Sequence, residues 1–115
     1  MTDWRSAEAA IDILCRRWTL VVMASLSSGT KGHNELARAT GLDNKCLSRA
    51  LRHMRETGLV RRTVKSARPA LRVNYTLTPR ADELIVLLDA LGSWHRESTG
   101  SEAPDDESTK VTVPL

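Results

Sequence analysis

At Gly58 the hydrophobic period of this chain changes. Before it, Leu47, Ala50, Leu51 and Met54 stand at i, i+3, i+4 and i+7, the spacing of one helix face. After it, Val60, Arg62 and Val64 alternate with polar neighbours. Leu71, Val73, Tyr75 and Leu77 then alternate with Arg72, Asn74, Thr76 and Thr78, the period of a strand. A helix that hands over to a hairpin at a glycine, within 115 residues, confines the chain to one small, mainly α domain with a β-hairpin, an α+β fold.

The flanking segments fill in the order. Residues 4–14 carry Ala7, Ala10, Ile11 and Leu14 at helical spacing, and residues 17–26 continue with Trp18, Val21 and Val22, which predicts two N-terminal helices or a single bent one. Ser27-Ser28-Gly29-Thr30 interrupts the pattern, and residues 31–39 form a short helix with Leu36 and Ala37 inward. A turn at Gly41-Leu42-Asp43 follows. Asp43 is the predicted N-cap of the next helix, because its carboxylate can accept from the free amides of the first turn. Ala67-Arg68-Pro69-Ala70 is the predicted hairpin turn, and Pro79, preceded by Thr78, reopens a helix that runs to about Glu97. Val21, Leu36, Leu47, Leu51, Leu59 and Tyr75 are the expected core. Residues 98–115 are acidic and lack apolar periodicity, so the expected division is a folded domain over 1–97 and a disordered tail over 98–115.

Charge sharpens the reading. Between Leu42 and Arg72 there are nine Lys or Arg and only two acidic residues, Asp43 and Glu56. Such concentration is the electrostatic footprint of a polyanion partner, since a merely solvated face mixes its signs. On the helix before Gly58, the side opposite the apolar stripe presents Lys45, Ser48, Arg49, Arg52 and Glu56. Helix, tight turn, helix and basic hairpin is the order of a winged helix-turn-helix, whose second helix enters the major groove of double-stranded DNA. Asn44 and Arg49 are the expected base readers, because Asn matches adenine and Arg matches guanine bidentately. Lys45, Ser48 and Arg52 are the expected phosphate contacts, and Lys65, Arg68 and Arg72 the basic side chains of the wing.

Other chemistry has little support in the residues. No GxSxG, Walker loop, HExxH or GxGxxG occurs, so no enzyme is expected. His33, Cys46 and His53 lack a fourth ligand and any CxxC or HxxxH pair, so neither a metal nor a cofactor is expected. The apolar runs are too short to span a membrane and no basic leader precedes one, which predicts a soluble cytoplasmic protein. Cys15 and Cys46 have the spacing of reduced thiols rather than of a disulfide framework.

Several stretches carry a family resemblance. Cys15-Arg16-Arg17-Trp18-Thr19-Leu20, Asn34-Glu35-Leu36, Gly41-Leu42, Leu47-Ser48, Glu56-Thr57-Gly58-Leu59-Val60, Tyr75-Thr76-Leu77-Thr78 and Trp94 occur in order over about residues 11–96. In them the chain resembles the HxlR-type bacterial transcription regulators. The resemblance implies a homodimeric winged helix-turn-helix, joined through its N- and C-terminal helices, that represses or activates genes. The match departs at three places. Where many members carry a sensing cysteine before the first helix, this chain has Ala7, Glu8 and Ala9; Gly32-His33 replaces Arg-Phe; and Ala81 replaces a glycine. These departures favour a small-molecule effector over thiol sensing.

The stripe Leu84, Leu87, Leu88, Leu91 and Trp94 exceeds what so small a core can absorb, which predicts a dimer surface. Trp18 and Trp94 are the expected walls of an effector pocket. Two alternatives stand beside this regulator. One is a thiol-responsive regulator using Cys15, which sits beside Arg16 and Arg17. The other is a non-specific architectural DNA coater, which would not need Asn44, Ser48 and Arg49 gathered at a helix start.

Overall fold

The computed structural model describes residues 1–67 and 70–101. They divide between Asp82 and Glu83 into two compact units, each of which is described by itself. The elements in order are α1 (Trp4–Leu14), α2 (Thr19–Leu26), β1 (Lys31–Gly32), α3 (His33–Thr40), α4 (Asn44–Glu56), β2 (Val60–Ala67), β3 (Ala70–Leu77) and α5 (Pro79–Ser101). The three strands form one antiparallel sheet in the order β1-β3-β2.

The N-terminal region is two helices rather than one bent helix. Between them Trp18 takes a left-handed backbone, φ 78°, and is the only non-glycine residue at positive φ among those described. For an L-residue that conformation costs about 1–2 kcal/mol. The break also sets the phase of α2: Thr19, Val22, Met23 and Leu26 are buried and stand at i, i+3, i+4 and i+7. Val21 lies off that stripe and is 41% exposed, so it is not the core residue its hydrophobicity suggests.

Leu36, Leu47, Met54 and Leu59 join α2 at the centre of the first unit, with Ala50, Leu51, Val60, Tyr75 and Ala81 around them. Full burial of one such large apolar side chain contributes about 1.5–3 kcal/mol. Leu36, Leu47, Leu51, Leu59 and Tyr75 therefore hold the expected core places.

Lys31 and Gly32 pair with Tyr75 and Asn74 of β3 instead of opening α3. A two-residue strand is too short to show alternation in sequence. It is held by local bonds: Lys31 Nζ donates to the Ser25 carbonyl at 2.9 Å and to Ser28 Oγ at 2.7 Å, and Gly32 N–H donates to Glu35 Oε1 at 3.0 Å. Lys31 thus places its charge at the C-terminal end of α2, where free carbonyls favour a cation.

Two glycines end helices in the left-handed region, Gly41 at φ 74° after α3 and Gly58 at φ 79° after α4. Past Gly58, Thr78 locks the chain back: its N–H donates to the Leu59 carbonyl at 3.0 Å, and its hydroxyl donates to the Gly58 carbonyl at 2.5 Å. Arg80 adds a bond to the Thr57 carbonyl. α5 opens at Pro79 as expected but runs through Ser101, past Glu97. In this last stretch Thr99 Oγ1 donates to the His95 carbonyl at 2.6 Å, a side-chain bond back onto the preceding turn. The remainder of the expected tail, residues 102–115, lies outside the described residues.

Candidate nucleic-acid interface

α3, the turn at residues 41–43 and α4 make a helix-turn-helix. Asp43 caps α4, its carboxylate accepting from the Cys46 N–H at 2.8 Å. That bond, chiefly, holds the Asp43 carboxyl below its ordinary pKa, with the Lys45 charge a smaller cause. Leu47, Ala50, Leu51 and Met54 are buried. With that face anchored, Asn44, Lys45, Ser48, Arg49 and Arg52 are all exposed. Ser48 Oγ lies 3.4 Å from His33 Nε2, a link from the start of α3 to α4.

The hairpin divides its faces by register. Val60 opposes Leu77, Arg62 opposes Tyr75, and Val64 opposes Val73; the alternate residues put Arg61 against Thr76, Thr63 against Asn74, and Lys65 against Arg72. One face is thus mostly apolar and the other wholly polar. Lys65 and Arg72 are exposed like charges placed directly across the strands, an arrangement that is destabilising in isolation and relieved by a polyanion. Arg68 lies outside the described residues.

Trp18 and Trp94, the expected pocket walls, belong to different units. Trp18 is half-buried and borders a pocket of about 230 Å³ with Arg16, Arg17, Cys46, Arg49 and His53. Trp94 is 63% exposed on α5, as are Leu87 (64%) and Leu91 (55%), while Leu84 and Leu88 are half-buried. His33 and His53 have separate partners: His33 faces Ser48, and His53 Nε2 lies 3.4 Å from the Ile13 carbonyl. Among the described residues no three His, Cys, Asp or Glu side chains gather as a metal site. Cys15 is exposed and Cys46 half-buried, both as free thiols. Sequence reading counts Arg61 only in the basic segment and places Arg16 and Arg17 only beside Cys15; the structure puts Arg61 on the polar hairpin face and the Arg16-Arg17 pair beside α4. In the sequence this pair is marked by the Arg-Arg doublet directly before Trp18.

A helix-turn-helix completed by an antiparallel basic hairpin defines a winged helix-turn-helix, a class of DNA-binding protein. The family model described as HxlR-like helix-turn-helix matches residues 13–103, and the chain belongs to that family. It is 32% identical over 106 residues to an HTH-type transcriptional regulator of Methanothermobacter thermautotrophicus, covering 86% of this chain and 80% of that protein. Among solved structures, it resembles a transcriptional regulator described as of the MarR family from Enterococcus faecalis V583, at 34% identity and TM-score 0.82 over 90% of this chain and 94% of that one. The reduced form of the regulator YodB of Bacillus subtilis shares the fold, at 24% identity and TM-score 0.75 over 91% of this chain and 99% of that one. The chain is therefore a DNA-binding transcription regulator of the helix-turn-helix type. No described helix is long and apolar enough to cross a membrane.

Proposed function

We propose that this chain acts as a homodimer on a pseudo-palindromic operator, setting α4 of each copy into successive major grooves about 34–36 Å apart. Arg49 and Asn44 read bases, Lys45, Ser48 and Arg52 set register on phosphates, and Lys65, Arg68 and Arg72 bring the wing to backbone or minor groove. Occupancy of a promoter then blocks or assists polymerase, and an effector bound beside Trp18 changes that occupancy. The single observation that carries the reading is α4 itself, buried along Leu47, Leu51 and Met54 and cationic and exposed along Lys45, Arg49 and Arg52.

Dimerisation has two supports. α1 is an 11-residue helix with no buried residue, and it exposes Trp4 (77%) and Ile11 (56%) seven residues apart on one side. So short a helix is marginal in water without a partner for its apolar side. α5 likewise exposes Leu87, Leu91 and Trp94.

The test is a binding titration at several salt concentrations. A sequence-specific regulator holds its operator about 10³-fold or more tighter than random DNA of equal length. A ratio near unity identifies an architectural coater instead. Cys15, exposed at the end of α1, supports the second reading, a thiol-responsive regulator. Under mild oxidant, Cys15→Ser and the unaltered chain release operator alike if Cys15 is not the sensor.

A further inference from the structure

The pocket beside Trp18 adjoins α4, and its lining has one sign of charge. Its charges are the guanidinium groups of Arg16, Arg17 and Arg49, the His53 imidazole stands beside them, and among the described residues no carboxylate borders it. Its volume, about 230 Å³, falls below the roughly 300–1,000 Å³ of sites for drug-sized ligands, so it suits a small molecule. We propose that this pocket binds a small free oxyanion, a carboxylate or a phosphate, and that its occupant competes with DNA for the guanidinium of Arg49. This rests on the reading of α4 as the DNA-reading helix, and it gives the effector a chemical class.

The geometry suits an oxyanion in three ways. Guanidinium groups offer planar forks of donors that match carboxylate and phosphate oxygens two at a time. One fork is already ordered, since Arg17 lies over the Trp18 ring at 4.6 Å from its centroid, which reduces the freedom lost on binding. The walls are also tied together. His53 Nε2 donates to the Ile13 carbonyl at 3.4 Å, because a carbonyl can only accept, and this joins α4 to the end of α1 next to residues 16–18. The left-handed Trp18 falls within the pocket wall, and bulky residues keep such backbone only where the surroundings over-determine it.

The functional consequence follows from Arg49 being shared. It is exposed, with Arg52, on the side of α4 read as facing DNA, and it is also a wall of the pocket. A guanidinium held bidentately by an anion in the pocket is withdrawn from a guanine edge. Ligand and operator thus exclude one another through one side chain, without any change in the spacing of the recognition helices. The ligand acts to release DNA.

The test begins on the free protein. The Trp18 indole N–H signal in a ¹⁵N spectrum, assigned with Trp18→Phe, is followed during titration with inorganic phosphate or succinate against sodium chloride at equal ionic strength. Either oxyanion should give a saturable shift and chloride none. Arg16→Gln combined with Arg17→Gln should raise the midpoint by about tenfold, the loss expected for removing hydrogen bonds to a charged group. Arg16→Lys with Arg17→Lys should recover part of it, and Arg38→Gln on α3 should leave it unchanged. At a saturating concentration the oxyanion should weaken operator binding by about tenfold, a coupling of ordinary size. In Arg49→Ala the remaining DNA affinity should no longer respond to it. Absence of a saturable shift overturns the proposal, including the case in which the double Gln variant weakens all DNA equally, which would make the occupant a backbone phosphate. A saturable shift with no effect on operator binding overturns the competition. If Arg49→Ala leaves operator binding intact, the reading of α4 falls while the shift on the free protein stands.

Discussion

Arg49 and Arg72 differ in what their loss should do. Arg49 is exposed at the second turn of a buried-face helix, so Arg49→Ala should relax sequence preference and cost about 1–3 kcal/mol on the operator. Arg72 is exposed on the polar face of the wing opposite Lys65, so Arg72→Ala should weaken every duplex alike and lower the salt slope by about one. Salt titrations on operator and random DNA measure both. Equal losses on the two duplexes for Arg49→Ala would move base reading to another side chain. Asp43 gives a pH prediction. Its folded-state pKa is depressed from 3.8, chiefly by the Cys46 N–H. Its contribution to stability is therefore present above that ordinary value and is lost as pH falls through the lower folded-state value. Thermal melts below pH 4 should show the loss, and Asp43→Asn, which can still cap the helix but does not titrate, should show less of it. The exposure of Asn44, Ser48 and Arg49 was legible from helical spacing alone. The placing of Arg16 and Arg17 beside Arg49 was not, because it depends on one left-handed residue, Trp18, at a position where the sequence has no glycine.

The best-marked elements were those with an unbroken period and a punctuating residue. α4 begins behind Asp43 and ends before Gly58, and β2 and β3 pair from Val60 with Leu77 to Ala67 with Ala70. Gly58 carries this boundary, since at φ 79° any added Cβ strains the backbone. Gly58→Ala should cost about 1–2 kcal/mol by chemical denaturation, while far-UV circular dichroism at zero denaturant stays unchanged. A loss near zero would show that the turn accepts another conformation. Two features escaped the periodicity. β1 is two residues long and exists because Lys31 and Gly32 meet β3 across the fold. The phase of α2 was set by where it starts, so Val22 and Met23 took the core places and Val21 did not.

At the scale of the whole molecule, α1 and α5 each leave large apolar side chains exposed. Replacing Leu87 and Leu91 together by Glu should yield monomers in sedimentation and abolish operator binding, because a half-site alone loses the second α4. A double variant that remains dimeric would shift the interface to α1, where Trp4 and Ile11 are exposed. The order of the elements other than β1, the basic central segment and the family were determined by the sequence itself. Period, caps and charge are local properties of consecutive residues, and they need no knowledge of what lies across the core. Only the tertiary structure decided the pairing of β1 with β3, the inward face of α2, the opposition of Lys65 and Arg72, and the meeting of the Arg16-Arg17 turn with Arg49 and His53. Each of these joins residues distant in sequence, or hangs on the turn that sets a helix's rotation. No local pattern encodes such contacts, because they are selected by how whole elements pack.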